Sequence, residues 1–119
     1  GFLGRKTGRG FYAHAEGAMQ PEPSRDEARA RAIVDRIVAM LVNEAVDAVH
    51  LNVATPQDIE LAMTKGVNYP KGLLAWGQEI GFSEVLARIE HLQREYAEDR
   101  YRPSPLLRRL AAHGDRLVE

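Results

Sequence analysis

The stretch ARARAIVDRIVAMLVNEAVDAVH, residues 28–50, decides the fold. It contains no Gly or Pro, and neither appears again until Pro56. Ile33, Ile37, Met40 and Leu41 recur at three- and four-residue spacing and mark one helical face. Val34, Val38, Val42, Ala45 and Val49 mark an adjacent face. The combined stripe is wider than a surface helix needs. Such a helix is either central to its domain or buried against a second chain or domain. Upstream, Ser24 stands three residues before Glu27, the spacing of a capping box, and predicts the helix start. Asp35, Asn43 and Glu44 interrupt the stripe. A polar group in a packed face needs a partner. Each therefore predicts either a bond to a neighbouring helix end or Arg, or a group facing a ligand or an adjoining domain.

The same reading extends toward the C-terminus. Thr55-Pro56 gives an N-cap and a first helical residue, and Asp58 complements the dipole. Ile59, Ala62 and Met63 form the apolar face of this second helix, and Gly66 predicts its stop. Val67-Asn68-Tyr69-Pro70 reads as a turn, because the residue before Pro avoids the helical region. A short helix is expected over Leu73–Ile80, ending at Gly81. Ser83 is expected to cap a fourth helix with Val85, Leu86, Ile89, Leu92 and Tyr96 on one face. Tyr101-Arg102-Pro103 breaks it. Ser104-Pro105 starts a last helix carrying Leu106, Leu107 and Leu110, which stops near Gly114. No segment has a strand's period of two. The expected fold is all-α, with about five helices and short connections.

Toward the N-terminus the pattern changes. Gly4, Gly8 and Gly10 punctuate Arg5, Lys6, Thr7 and Arg9 before Phe11-Tyr12. This predicts a loop with tight turns and at most one short extended stretch. Residues 17–23, with Gly17, Pro21 and Pro23, read as a linker. The expected organisation is therefore a Gly-rich arm over 1–16, the linker, and a helical domain over 24–119. A chain of 119 residues has room for one core and little more.

Composition narrows the chemistry. Sixteen Lys+Arg against 17 Asp+Glu give a net charge of −1, without the basic excess of a nucleic-acid binder. The absence of Cys excludes disulfides, thiolate catalysis and Cys-based zinc sites. No apolar run is long enough to span a membrane, and no secretory apolar segment opens the chain. The expected location is the cytoplasm. Arg5, rather than Gly, precedes Lys6, so the Gly-rich arm is no Walker loop. Gly8-Arg9-Gly10 runs into Phe-Tyr and a linker rather than opening a helix, so it is no dinucleotide fingerprint. His14, His50, His91 and His113 lie too far apart in sequence for a helical metal pair. Arg102, Arg108 and Arg109 near Tyr101 read as a solvated face, or as a contact for a phosphate or a nucleic acid. From the residues alone, the chain is a helical assembly module with no self-contained catalytic machinery.

Several motifs resemble one family. Residues 54–63, ATPQDIELAM, then Gly66–Gly72, GVNYPKG, and Tyr101–Leu107, YRPSPLL, are similar to the C-terminal helical domain of NAD-dependent 3-hydroxyacyl-CoA dehydrogenases. Residues 3–12, LGRKTGRGFY, resemble that domain's closing signature. The resemblance implies a fold like the C-terminal domain of 6-phosphogluconate dehydrogenase. Because the closing signature comes first, it also implies a tandem parent: residues 1–16 end one helical repeat and 24–119 form the next; the alternative is that the Gly-rich arm packs onto the helical domain that follows it. It implies a Rossmann domain elsewhere in the parent that holds NAD and a catalytic His–Glu pair. This piece itself is then expected to bind no cofactor and no metal. The partners implied are that Rossmann domain, a sibling repeat or a second copy, and acyl-CoA in the parent. In the family, an Asn of the first helix lies near the reacting group; Asp35 stands there in Ile33-Val34-Asp35-Arg36. A carboxylate cannot donate an amide's hydrogen bond. Leu73 in place of a usual Pro and Gln78 in place of a usual Asp are further departures. The implied role is a degenerate repeat, paired through Ile33, Ile37, Val38, Met40, Leu41 and Val42. The alternative is an interaction module of an unrelated multidomain protein.

Overall fold

The computed structural model describes residues 1–118. Five α-helices form: α1 (Glu27–His50), α2 (Pro56–Leu61), α3 (Leu73–Ile80), α4 (Phe82–Tyr96) and α5 (Pro105–His113). Among the described residues there is no strand, only the isolated bridges Gly4–Arg9 and Arg9–Ala13. The periodicity of the sequence therefore predicts both the class and the helix number.

Helix α1 is the spine, packing against α3, α4 and α5. Its inward residues Val38, Ala39, Val42 and Val46 meet Leu74 of α3, Val85 and Ile89 of α4, and Leu107 and Leu110 of α5. The cap differs from the one predicted. Asp26, not Ser24, accepts the hydrogen bond from the Arg29 N–H, at 3.0 Å, while the Ser24 hydroxyl accepts from the Asp26 N–H at 3.4 Å. Aspartate caps at least as well as serine, and its charge also favours the helix dipole.

The Thr55 cap is realised: its hydroxyl accepts from the Asp58 N–H at 3.2 Å. Gly66 does not stop α2 abruptly. The helix widens into a π-turn over Ala62–Gly66, and Asn68 takes the left-handed conformation at φ 57°. Gly81, at φ 95°, both ends α3 and begins α4. Ser83 is consequently inside the first turn of α4 and makes no cap, which corrects the sequence expectation.

Two glycines of α3 let it sit close to its neighbours. A Cβ on Gly72 would lie 1.9 Å from a carboxylate oxygen of Glu60. That carboxylate accepts from the N–H groups of Leu74 at 2.7 Å and Ala75 at 3.2 Å, so α2 caps α3. A Cβ on Gly77 would lie 2.4 Å from Val42 of α1 and 3.1 Å from the Phe82 ring.

The N-terminal arm is held by its own bonds. The Leu3 N–H donates to the Thr7 hydroxyl at 3.0 Å, and the His14 N–H to the Gly8 carbonyl at 2.7 Å. Phe2, Leu3, Phe11 and Met19 remain exposed. The radius of gyration, 18.3 Å, exceeds the roughly 13.5 Å of a compact chain of this length, because the arm and the first turns of α1 project.

Two outcomes follow from this packing. Gly77→Val should destabilise the chain by about 3 kcal/mol, the upper end for an overpacked core, and lower Tm by about 10 °C. An unshifted melt would show that α3 can move away from α1. Deleting Gly1–Tyr12 should leave the melting curve unchanged, whereas a clear fall in Tm would mean that the arm covers this domain.

Candidate functional site

The N-terminal half of α1 and the middle of α4 diverge around a cleft of about 440 Å³. Ala32, Ile33 and Leu92 give it apolar walls, and Arg29, Arg36 and Arg88 give it a cationic rim. Asp35 contributes the only carboxylate among its lining residues. That carboxylate is taken: Oδ1 lies 3.2 Å from a guanidinium nitrogen of Arg88, whose Nε also donates to Glu84 at 2.8 Å. Arg88 therefore serves two acids, one from each helix, and bridges α1 to α4. The position faces the cleft, and its charge is neutralised there.

Arg36 is held differently. Its guanidinium lies 4.6 Å from the Tyr96 ring centre and 5.2 Å from that of Tyr101. It donates to the hydroxyls of both tyrosines. The hydrogen bond to Tyr101 leads the causes that raise its pKa above the usual arginine value, outweighing the opposing effect of burial. Tyr101 is itself buried, so the cation–π contact joins α1 to the turn before α5.

Asn43 is also a structural residue. It is 2% exposed; its amide donates to the Arg102 carbonyl at 3.1 Å and accepts from the Ser104 N–H at 2.8 Å. Glu44, by contrast, is exposed. Of the three polar interruptions, one serves a helix start, one an ion pair, and one faces outward.

The six residues expected at an interface divide in the same way. Val38 and Val42 are inside this domain's own core, because α3, α4 and α5 close over them. Met40 and Leu41 are half-buried at its edge, while Ile33 and Ile37 are half-exposed. The sequence stripe is thus two surfaces, one used within the bundle and one left outside.

A second cavity, about 630 Å³, lies where α3, α4 and the end of α5 meet. Gln78 stands on its wall and holds the C-terminal segment. Its carbonyl oxygen accepts from the Leu117 N–H at 3.1 Å, and its amide donates to the Val118 carbonyl at 3.1 Å. An aspartate there could not make the second bond, which gives the Gln78 departure a structural reason.

The remaining candidates do not converge. His91 pairs with Glu95 at 3.4 Å, and His50 at the end of α1 is 3.4 Å from Arg109. No cluster of metal-ligating residues exists among the described residues. Arg102 pairs with Asp47 and Arg108 with Glu90, while Arg109 contacts His50.

The cleft, the glycine-dependent packing and the helix order define an all-α domain. The family model for the 3-hydroxyacyl-CoA dehydrogenase C-terminal domain matches residues 33–116, and the chain belongs to that family. It is 52% identical over 79 residues to the 3-hydroxyadipyl-CoA dehydrogenase of Escherichia coli K12, covering 66% of this chain and 17% of that protein. It is 39% identical to a probable 3-hydroxybutyryl-CoA dehydrogenase of Deinococcus radiodurans, covering 69% of this chain and 30% of that one. Among solved structures it is similar to the (S)-3-hydroxybutyryl-CoA dehydrogenase PaaH1 of Ralstonia eutropha. There the TM-score is 0.66 at 38% identity, over 69% of this chain and 29% of that one. The chain thus spans less than a third of these relatives.

The site geometry separates two substitutions. Asn43→Ala strands the Ser104 N–H and the Arg102 carbonyl, and should cost about 2 kcal/mol. Asp35→Ala removes a half-exposed ion pair and should cost less than about 1 kcal/mol. Urea unfolding of both variants checks the order, and equal costs would contradict the assignment.

Proposed function

We propose that this chain is the assembly and cleft-forming helical domain of an NAD-dependent dehydrogenase that oxidises (S)-3-hydroxyacyl-CoA to 3-oxoacyl-CoA. Its own cleft is catalytically silent. The observation that carries this reading is Asp35, bonded to Arg88 at 3.2 Å, at the place where the resemblance requires an amide donor. An ionised carboxylate accepts hydrogen bonds and repels a developing oxyanion, so it cannot replace that donor.

NAD, when bound in the parent, accepts the hydride. The described residues do not fit it, because they contain no strand–glycine loop–helix unit to cradle a pyrophosphate. The Rossmann domain of the parent is the reading's location for cofactor and catalytic base alike. The Gly-rich arm over 1–16 then belongs to a preceding helical repeat, and 24–119 forms the following one. Its exposed Phe2, Leu3 and Phe11 support this, since these side chains find no cover on the helical bundle. The half-exposed Ile33 and Ile37, with Met40 and Leu41 beside them, form the face offered to another helical body. No helix among the described residues is long and apolar enough to cross a membrane, and the reading places the enzyme in the cytoplasm.

Calorimetry with acetoacetyl-CoA and a coupled NADH assay test this on the 119-residue chain. Neither binding at micromolar concentration nor NADH production from 3-hydroxybutyryl-CoA is expected. Enzyme-like NADH production would sink the reading. In the parent, Asp35→Ala should leave turnover intact, and a large loss of kcat would return Asp35 to the chemistry.

A further inference from the structure

The cleft between α1 and α4 carries charge that the fold does not consume. Arg29, Arg36 and Arg88 line it against the single carboxylate of Asp35. Arg88 is spent on Asp35 and Glu84, at 3.2 and 2.8 Å. Arg36 meets the uncharged Tyr96 and Tyr101, so its charge stands uncompensated. A guanidinium has five N–H donors, and the two hydroxyls leave several of them free. Arg29 is exposed and has no ion-pair partner among the described residues. His91, also on the rim, is 3.4 Å from Glu95. Two unpaired cations therefore face one opening, in a chain whose net charge is −1. A concave surface lined by one sign of charge gathers ligands of the other.

The spacing says which anion. Arg29 and Arg36 are two helical turns apart on the same side of α1, about 10.5 Å along its axis. Ala32 and Ile33 lie between them, and Leu92 faces them across the cleft. A mineral anion would satisfy one guanidinium and leave this apolar wall wet. A fatty acid would cover the wall and leave one guanidinium without a partner. Two carboxylates joined by an unbranched methylene chain answer both cations and the wall between them.

We propose that this cleft binds a linear α,ω-dicarboxylate. One carboxylate pairs with Arg29 and the other with Arg36, and the methylene chain lies on Ala32, Ile33 and Leu92. Asp35 opposes the ligand's charge and so weakens its binding. The site needs neither cofactor nor thioester, so it stands or falls separately from the dehydrogenase reading.

Calorimetry of the 119-residue chain at low salt tests it, with suberate, octanoate, succinate and inorganic phosphate as probes. Suberate should bind at least about tenfold more tightly than octanoate, which has the same chain and one carboxylate fewer. Succinate, too short to reach both arginines, should bind no better than octanoate. Arg29→Gln should weaken suberate about tenfold and bring it to the level of octanoate. Ile33→Asp, which puts a carboxylate between the two cations, should abolish binding. Asp35→Ala should tighten suberate about threefold, a gain that no loss of folding can imitate. Arg29 and Ile33 are exposed, so circular dichroism should show both variants folded. Arg36 also ties Tyr96 and Tyr101 together, which is why Arg29 carries the test. Equal affinities for suberate and octanoate, no binding of suberate at millimolar concentration, or suberate binding that ignores Arg29→Gln would each overturn the proposal. Phosphate binding as tight as suberate would also overturn it, by making the cleft an unselective anion site.

Discussion

One buried amide governs how this bundle closes. Asn43 satisfies both a carbonyl and an N–H at the turn that launches α5, from a position 2% exposed on the spine helix. Without it the Ser104 hydroxyl would not be the only polar atom left unpaired in that turn. The bond fixes where Pro105 begins the last helix, and hence where Leu107 and Leu110 enter the core. Arg36 reinforces the same turn through Tyr101. The start of α5 is therefore set by polar contacts from α1, and the contact of α1 with α3 by close apolar packing at Gly77.

The cleft draws on the same contacts. Its shape comes from residues that also hold the fold: Arg36 stacks on Tyr96, and Leu92 faces the core as well as the opening. Asp35 takes no part in these contacts, and Arg88 supplies the countercharge that its carboxylate needs. Position 35 thus matters little to the fold, because a half-exposed ion pair contributes little to stability.

The helix signals were legible because they are local. The spacing of Ile33, Ile37 and Leu41 announces α1, Thr55-Pro56 announces α2, and Gly81 marks the boundary between α3 and α4. Even the misplaced caps lie only two residues from the observed ones. Ser24 and Ser83 compete with Asp26 and Gly81 for the same job, and propensity alone does not choose among neighbours. The stripe on α1 is wider than a surface helix needs, but its spacing does not say where it divides. That division depends on where α3, α4 and α5 come to rest, which the spacing of α1 does not encode.

By itself, then, the sequence determined an all-helical domain, the extent of its helices and its family resemblance. Only the tertiary structure decided which residues work together across long separations. Glu60 caps α3, Asn43 pins the start of α5, and Gln78 clasps Leu117 and Val118. The reason is physical: periodicity and turn preference act over a few residues of chain, whereas a capping carboxylate or clasping amide is chosen by proximity after the helices have packed.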